Sequence, residues 1–157
     1  MFTLIKNAHI YAPADTDCQD LLLAGRKIVH MAPSIGELPF DCTVIDVSGA
    51  KVTTGFIDQH IHITGGGGEG SFATRVPEIQ LSQLTTAGTT TVIGLLGTDG
   101  VTRSMENLLA KARGLEEEGI STWIYSGAYP ADSNHITGTL RSDIVLIDKI
   151  LGGKVAM

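Results

Sequence analysis

His60 and His62 stand two residues apart in the run Phe56-Ile-Asp-Gln-His-Ile-His-Ile63. The run reads as a strand, and strand side chains alternate with period two, so both imidazoles leave one face. Two neutral imidazoles converging from one face make a natural metal chelate. The plainer reading has one histidine capping the loop and the other packed; the strand and the loop that follows favour the metal.

That loop, Gly65-Gly-Gly-Gly68 followed by Glu69, lets a ligand approach the main chain closely. It carries neither a P-loop nor a dinucleotide fingerprint, so a phosphate cradle is not supported. Glu69 could receive a cationic group or carry a proton. Thr98 follows Gly97 at the end of a second predicted strand and Tyr129 lies just past a third, which puts a hydroxyl and a phenol on the rim that holds the histidines. Both can hydrogen-bond a substrate carbonyl or carboxylate. Lys154, after Gly152-Gly153, reads by residue type alone as an exposed charge. Ser104, Ser121 and Ser126 lack the Gly-x-Ser-x-Gly setting of a serine hydrolase.

The elements that would position these residues fall into two regions. From Phe2 to about Thr54 the chain reads as short β segments (Phe2–Ile5, His9–Tyr11, Asp20–Leu23, Lys27–Met31 and Thr43–Val47) separated by turn residues. From Gly55 the pattern becomes strand, helix, strand. The markers Asp58, Thr91, Ile124 and Lys154 are 33, 33 and 30 residues apart, close to one βα unit. The strands are expected at Phe56–Ile63, Thr89–Leu96, Ser121–Ser126 and from Lys154, and parallel. Helices are expected from Pro77 to Ala87, from an N-cap at Ser104 to a stop at Gly119, and over a stripe of Ile144, Ile147 and Leu151. The fold class is therefore α/β: a small β domain over 1–54, then strands 1 to 4 of a TIM-like (β/α)8 barrel over 55–157.

Of the 157 residues, 43% are hydrophobic and 18% charged, a core-forming composition. A formal charge of −6 disfavours a nucleic-acid partner. No apolar run reaches membrane-spanning length and the start lacks a signal-peptide pattern, so no membrane partner and a cytoplasmic location are expected. Cys18 and Cys42 read as reduced thiols. A closed barrel takes about 250 residues, so a chain of this length is expected to be a truncated part of one.

Gly55-Phe-Ile-Asp-Gln-His-Ile-His-Ile63 resembles the first-strand signature of the amidohydrolase superfamily. The Gly65–Glu69 loop, Gly94-Leu-Leu-Gly-Thr-Asp99, Glu117-Glu-Gly-Ile-Ser121, Ser126-Gly-Ala-Tyr129 and Ile136-Thr-Gly138 more narrowly resemble the isoaspartyl (β-aspartyl) dipeptidase family, over its amino-terminal portion. The resemblance implies hydrolysis of the isopeptide bond in β-aspartyl dipeptides by a zinc-bridged hydroxide. It implies two Zn2+ ions, with His60 and His62 as ligands and Lys154, N6-carboxylated, bridging them. It also implies that Gly67, Gly68, Glu69, Thr98 and Tyr129 bind substrate, Glu69 facing its amino group and Tyr129 polarising the scissile carbonyl. The full-length protein would be a homo-oligomer. The remaining ligands of that family have no counterpart before Met157, so this chain is expected to be inactive alone. His9, His30 and His135 read as surface or packing residues.

Two other readings stand beside this one. A cyclic amidohydrolase of the dihydroorotase or hydantoinase type would share His60, His62 and Lys154, but Glu69 suits a free α-amino group better than a ring. A non-catalytic truncated fragment that needs a partner chain would expose unpaired strand edges.

Overall fold

A computed structural model of the chain describes residues 1–129 and 134–156. It divides into two compact units, Met1–Thr54 and Gly55 onward.

The first unit is a mixed sheet built on β1 (Phe2–Tyr11), which pairs antiparallel with β2 (Asp15–Ala24), itself antiparallel to β3 (Lys27–Ala32). The short strands β4 (Thr43–Asp46) and β5 (Lys51–Thr53) run parallel to the two halves of β1. The two segments expected at Phe2–Ile5 and His9–Tyr11 are therefore one strand, interrupted by a register shift between Ile5 and Ala8. Asn7 sits in that irregularity at φ +57°. Its N–H donates to Asp20 Oδ1 at 2.9 Å and its side-chain amide to Asp46 Oδ2 at 2.9 Å, so its polar groups are satisfied at the bulge. Leu4 and Leu22 pack with Ile35 in one buried cluster, and Ala8, Ile10 and Leu21 form a second.

The second unit alternates β6 (Phe56–Ile61), α1 (Leu81–Thr86), β7 (Thr89–Gly94), α2 (Met105–Glu118), β8 (Ser121–Ser126), α3 (Leu140–Leu146) and β9 (Ile150–Gly153). The four strands pair in parallel, in chain order. All their C-terminal ends thus lie along one edge of the sheet. The core packs α2 on this sheet through Leu108, Ala112 and Leu115 against Val92, Ile124 and Ile150. Helix α2 forms as expected: Ser104 Oγ accepts from the Asn107 N–H at 3.2 Å and Gly119 closes the last turn.

Three expectations are corrected. Helix α1 begins at Leu81, not Pro77, because the preceding segment is held extended: the Val76 N–H donates to Gly66 O at 2.8 Å and the Ile79 N–H to Ile63 O at 3.2 Å. Helix α3 does not bury a stripe of Ile144, Ile147 and Leu151. It ends at Leu146, leaves Ile144 exposed and buries Asp143 completely. Leu151 instead belongs to β9, so the fourth strand starts at Ile150 and Lys154 follows it rather than opening it.

No helix among the described residues is long and apolar enough to cross a membrane. Cys18 and Cys42 are both free.

Candidate functional site

The parallel sheet delivers its chemistry-bearing residues at the C-terminal ends of its strands. His60 is the penultimate residue of β6, and His62 lies one residue past it. Their rings stand edge to face with centroids 5.7 Å apart. Nδ1 of His62 lies 3.1 Å from the Leu95 carbonyl oxygen. A carbonyl can only accept, so in the neutral ring Nδ1 carries the proton and Nε2 keeps a free lone pair, the tautomer a metal ligand needs. The ring is boxed in: a Cβ on Gly97 would lie 3.1 Å from His62 Cε1, and one on Gly66 would lie 3.4 Å from Cδ2. Two adjacent imidazoles, one with its tautomer fixed by a backbone acceptor, suit a borderline cation such as zinc.

Past His62 the chain turns through the four glycines. Gly65 adopts φ +86° and a Cβ there would fall 2.2 Å from Val76 O, so both conformation and space demand glycine. The turn brings Glu69 against the loop that follows β7, where Thr98 Oγ1 donates to Glu69 Oε1 at 2.5 Å. That bond is the main reason the Glu69 carboxyl is held below its ordinary range; His62 and Arg103 add to it. Gly67, Gly68, Glu69 and Thr98 line one cleft of about 420 Å³, shared with Phe72, Arg75 and Asp99. The structure thus gathers four of the expected substrate-binding residues in one place.

Tyr129 is tied to the same edge through its backbone, its N–H donating to Gly97 O at 3.1 Å, and its side chain is half exposed. It does not line the Glu69 cleft. Lys154 follows β9, with its N–H donating to Ser126 O at 2.8 Å, so it occupies the C-terminal edge three strands from the histidines.

Three residues passed over in the sequence hold this edge together. Arg103, only 5% exposed, donates to Thr64 O (Nε, 3.2 Å), Gly66 O (3.0 Å) and Val76 O (3.2 Å), and to Asp99 Oδ2 (3.1 Å). Asp99 also accepts from the Thr102 hydroxyl and from the N–H groups of Thr102 and Val101, which push its carboxyl down to about 2. Asp143 accepts from Ser126 Oγ at 2.6 Å, the Ile136 N–H at 3.1 Å, and the N–H and hydroxyl of Thr137 at 2.7 Å each. Burial pushes Asp143 up, but these donors together hold it below the usual carboxylate range.

His135, read as a surface or packing residue, places Nδ1 2.7 Å from Ser126 Oγ. Since the Ser126 proton goes to Asp143, the imidazole is the donor to Ser126. The order of donation is the reverse of a serine nucleophile activated by histidine. The available sequence signal was position: Arg103 precedes an N-cap in a βα loop, and Ser126 ends a strand.

No family model matches the chain. It is similar over its entire length to a β-aspartyl dipeptidase from the thermophilic, keratin-degrading Fervidobacterium islandicum AW-1, at 45% identity and a TM-score of 0.93, covering 43% of that protein. A second structure of that enzyme, in complex with the β-Asp-Leu dipeptide, matches 98% of the chain with a TM-score of 0.89. Among curated proteins, a dihydroorotase of Halalkalibacterium halodurans is 32% identical over 121 residues, which is 76% of this chain and 27% of that protein. An L-hydantoinase from Arthrobacter aurescens shares the fold at 21% identity and a TM-score of 0.58. The chain spans less than half the length of each of these relatives. The fold is that of an amidohydrolase β domain followed by part of a TIM-like barrel, and the resemblance to β-aspartyl dipeptidase extends over the whole sequence.

Proposed function

We propose that this chain carries the first half of a binuclear zinc site that hydrolyses the isopeptide bond of β-aspartyl dipeptides, with residues 1–54 as its β domain and 55–157 as barrel strands 1 to 4. The observation that carries the reading is the Glu69–Thr98 pair at 2.5 Å, an anionic receiver built next to two histidines. A β-aspartyl dipeptide presents a free ammonium beside its α-carbon, and a carboxylate held ionised by Thr98 is its natural partner. A cyclic imide or ureide has no such group.

His60, His62 and Lys154 would hold the metal, Lys154 as its N6-carboxylate, because an ammonium would repel the cations that a carbamate can join. Zinc bound there supplies Lewis acidity, polarising the carbonyl and lowering the pKa of water. Glu69 fixes the ammonium, Gly67 and Gly68 offer main chain to the substrate, and Thr98 orients Glu69 while facing the substrate carboxylate. Tyr129, tethered at Gly97, directs its phenol to the scissile carbonyl oxygen. Water oxygen adds to that carbon, the C–N bond breaks, and the released amine takes up a proton.

Two measurements test this. Zinc titration of the chain followed by elemental analysis should show binding that His62→Ala abolishes. A dipeptidase assay of the 157-residue chain with zinc and bicarbonate should show no turnover of β-Asp-Leu, whereas the whole-length protein should cleave it. The dihydroorotase similarity favours a second reading, a cyclic amidohydrolase. Hydrolysis of dihydroorotate or a hydantoin by the whole-length protein, without cleavage of β-Asp-Leu, would establish that reading instead.

A further inference from the structure

We infer that Arg103 is the positioning residue that aligns the two substrate loops, setting Glu69 against Thr98 by clamping the loop after β6 to the loop after β7. The inference rests on the reading of Glu69 as the receiver of the substrate ammonium. A cation this buried must be paired, and the way Arg103 is paired is specific. Three of its bonds go to carbonyls of Thr64, Gly66 and Val76, which are the outgoing and returning limbs of the glycine loop. The fourth goes to Asp99, the residue next to Thr98. Asp99 is itself fixed by the N–H groups of Val101 and Thr102, so the anchor is rigid.

Glu69 and Thr98 are exposed, and burial does not fix their side chains. Their register depends on the backbones that carry them, and Arg103 spans both. A planar fork with five donors can do this; the single ammonium of a lysine cannot reach three carbonyls and a carboxylate in different directions. The charged groups around Glu69 are Arg75 and Asp99 in the same cleft, with His62 and Arg103 contributing their fields. A role through charge alone would survive in lysine, while a role through geometry would not.

The test is an NMR titration of the Glu69 side-chain carboxyl in this chain, combined with amide hydrogen exchange. Thr98→Val should raise the Glu69 midpoint by removing the hydroxyl bond. Arg103→Lys, which keeps the charge, should raise it too, and the Arg103→Lys/Thr98→Val double variant should rise no further than Thr98→Val alone, because both remove one interaction. Arg103→Met removes the field as well and should raise the midpoint further. Amides from Gly66 to Glu69 should exchange about tenfold faster or more in either Arg103 variant, while those of Leu108 to Leu115 keep their protection. Should Arg103→Met not fold, Asp99→Asn loosens the same anchor and should speed exchange of the Gly66 to Glu69 amides likewise. An unchanged midpoint, restoration by lysine, an additive double variant, or equal loss of protection throughout the unit would each overturn the inference. The readout needs no turnover, so failure of β-Asp-Leu hydrolysis would overturn the proposed function and leave this result intact.

Discussion

Replacing Asp143 by asparagine keeps the shape of the side chain and removes one acceptor, which makes the cost calculable from the hydrogen bonds. The two carboxylate oxygens each face a backbone N–H: Thr137 at Oδ1 and Ile136 at Oδ2. Whichever way the new amide turns, its NH2 opposes one of them. The hydroxyls of Ser126 and Thr137 can rotate away, but a peptide N–H cannot. One buried donor is therefore orphaned, at about 1–3 kcal/mol, and the bonds that remain lose the advantage of a charged acceptor, at about 1 kcal/mol more. The expected loss is roughly 2–4 kcal/mol, or a fall in Tm of about 8–16 °C for a unit of this size.

Trp123 is the single tryptophan and lies in β8, so urea or thermal unfolding followed by its fluorescence reports the second unit alone. The pH dependence has a definite sign. Because the folded carboxyl lies below its ordinary value, the unfolded chain binds the proton first, and the stability that Asp143 contributes is complete above about pH 4 and disappears as pH falls through the folded value. The gap between wild type and Asp143→Asn should be full at pH 7 and close on acidification. A gap under about 0.5 kcal/mol at pH 7, or one that persists unchanged in acid, would refute the hydrogen-bond account.

Three further outcomes follow from other positions. Gly97→Ala places a methyl 3.1 Å from His62 Cε1 and should displace the ring, weakening zinc binding about tenfold in a calorimetric titration. Ser104→Ala removes the cap of α2 and should cost about 1 kcal/mol in urea denaturation, with Ser104→Gly costing less. Leu108→Ala opens a cavity at a fully buried position between α2 and the sheet, and should cost about 2–5 kcal/mol by the same fluorescence measurement.

The parts of the fold that were legible in the sequence are those whose causes are local. Helix α2 announces itself through Ser104, an apolar stripe and Gly119, and β8 through six residues bounded by turns. The misreadings share one cause, a group outside the element taking over a backbone or a face. Pro77 is a good early helical residue, yet the peptides on either side of it are captured by Gly66 and Ile63. Helix α3 turns a carboxylate inward, and a count of apolar residues registers Asp143 as polar because it cannot see the four donors waiting for it. The bulge at Asn7 likewise depends on Asp20 and Asp46 from other strands.

The candidate site divides along the same line. Side chains that would meet a ligand are legible because their chemistry is their type and they follow the ends of strands: His60 and His62 are neighbours along one chain segment, and Glu69 and Thr98 meet from the loops after β6 and β7. Residues that hold those groups in place are not legible, since a charge in a sequence reads as a solvated charge. Arg103 becomes an exception only when a loop tens of residues away closes over it, and Asp143 only when the loop just before α3 and the end of β8 do. The two do opposite jobs with the same physics. Arg103 collects carbonyl oxygens of the glycine loop, which lacks regular structure; Asp143 collects N–H groups of the loop before α3. An irregular loop satisfies only some of its own peptide groups, and one buried ion of the right sign beneath it supplies the missing partners without altering the face it presents.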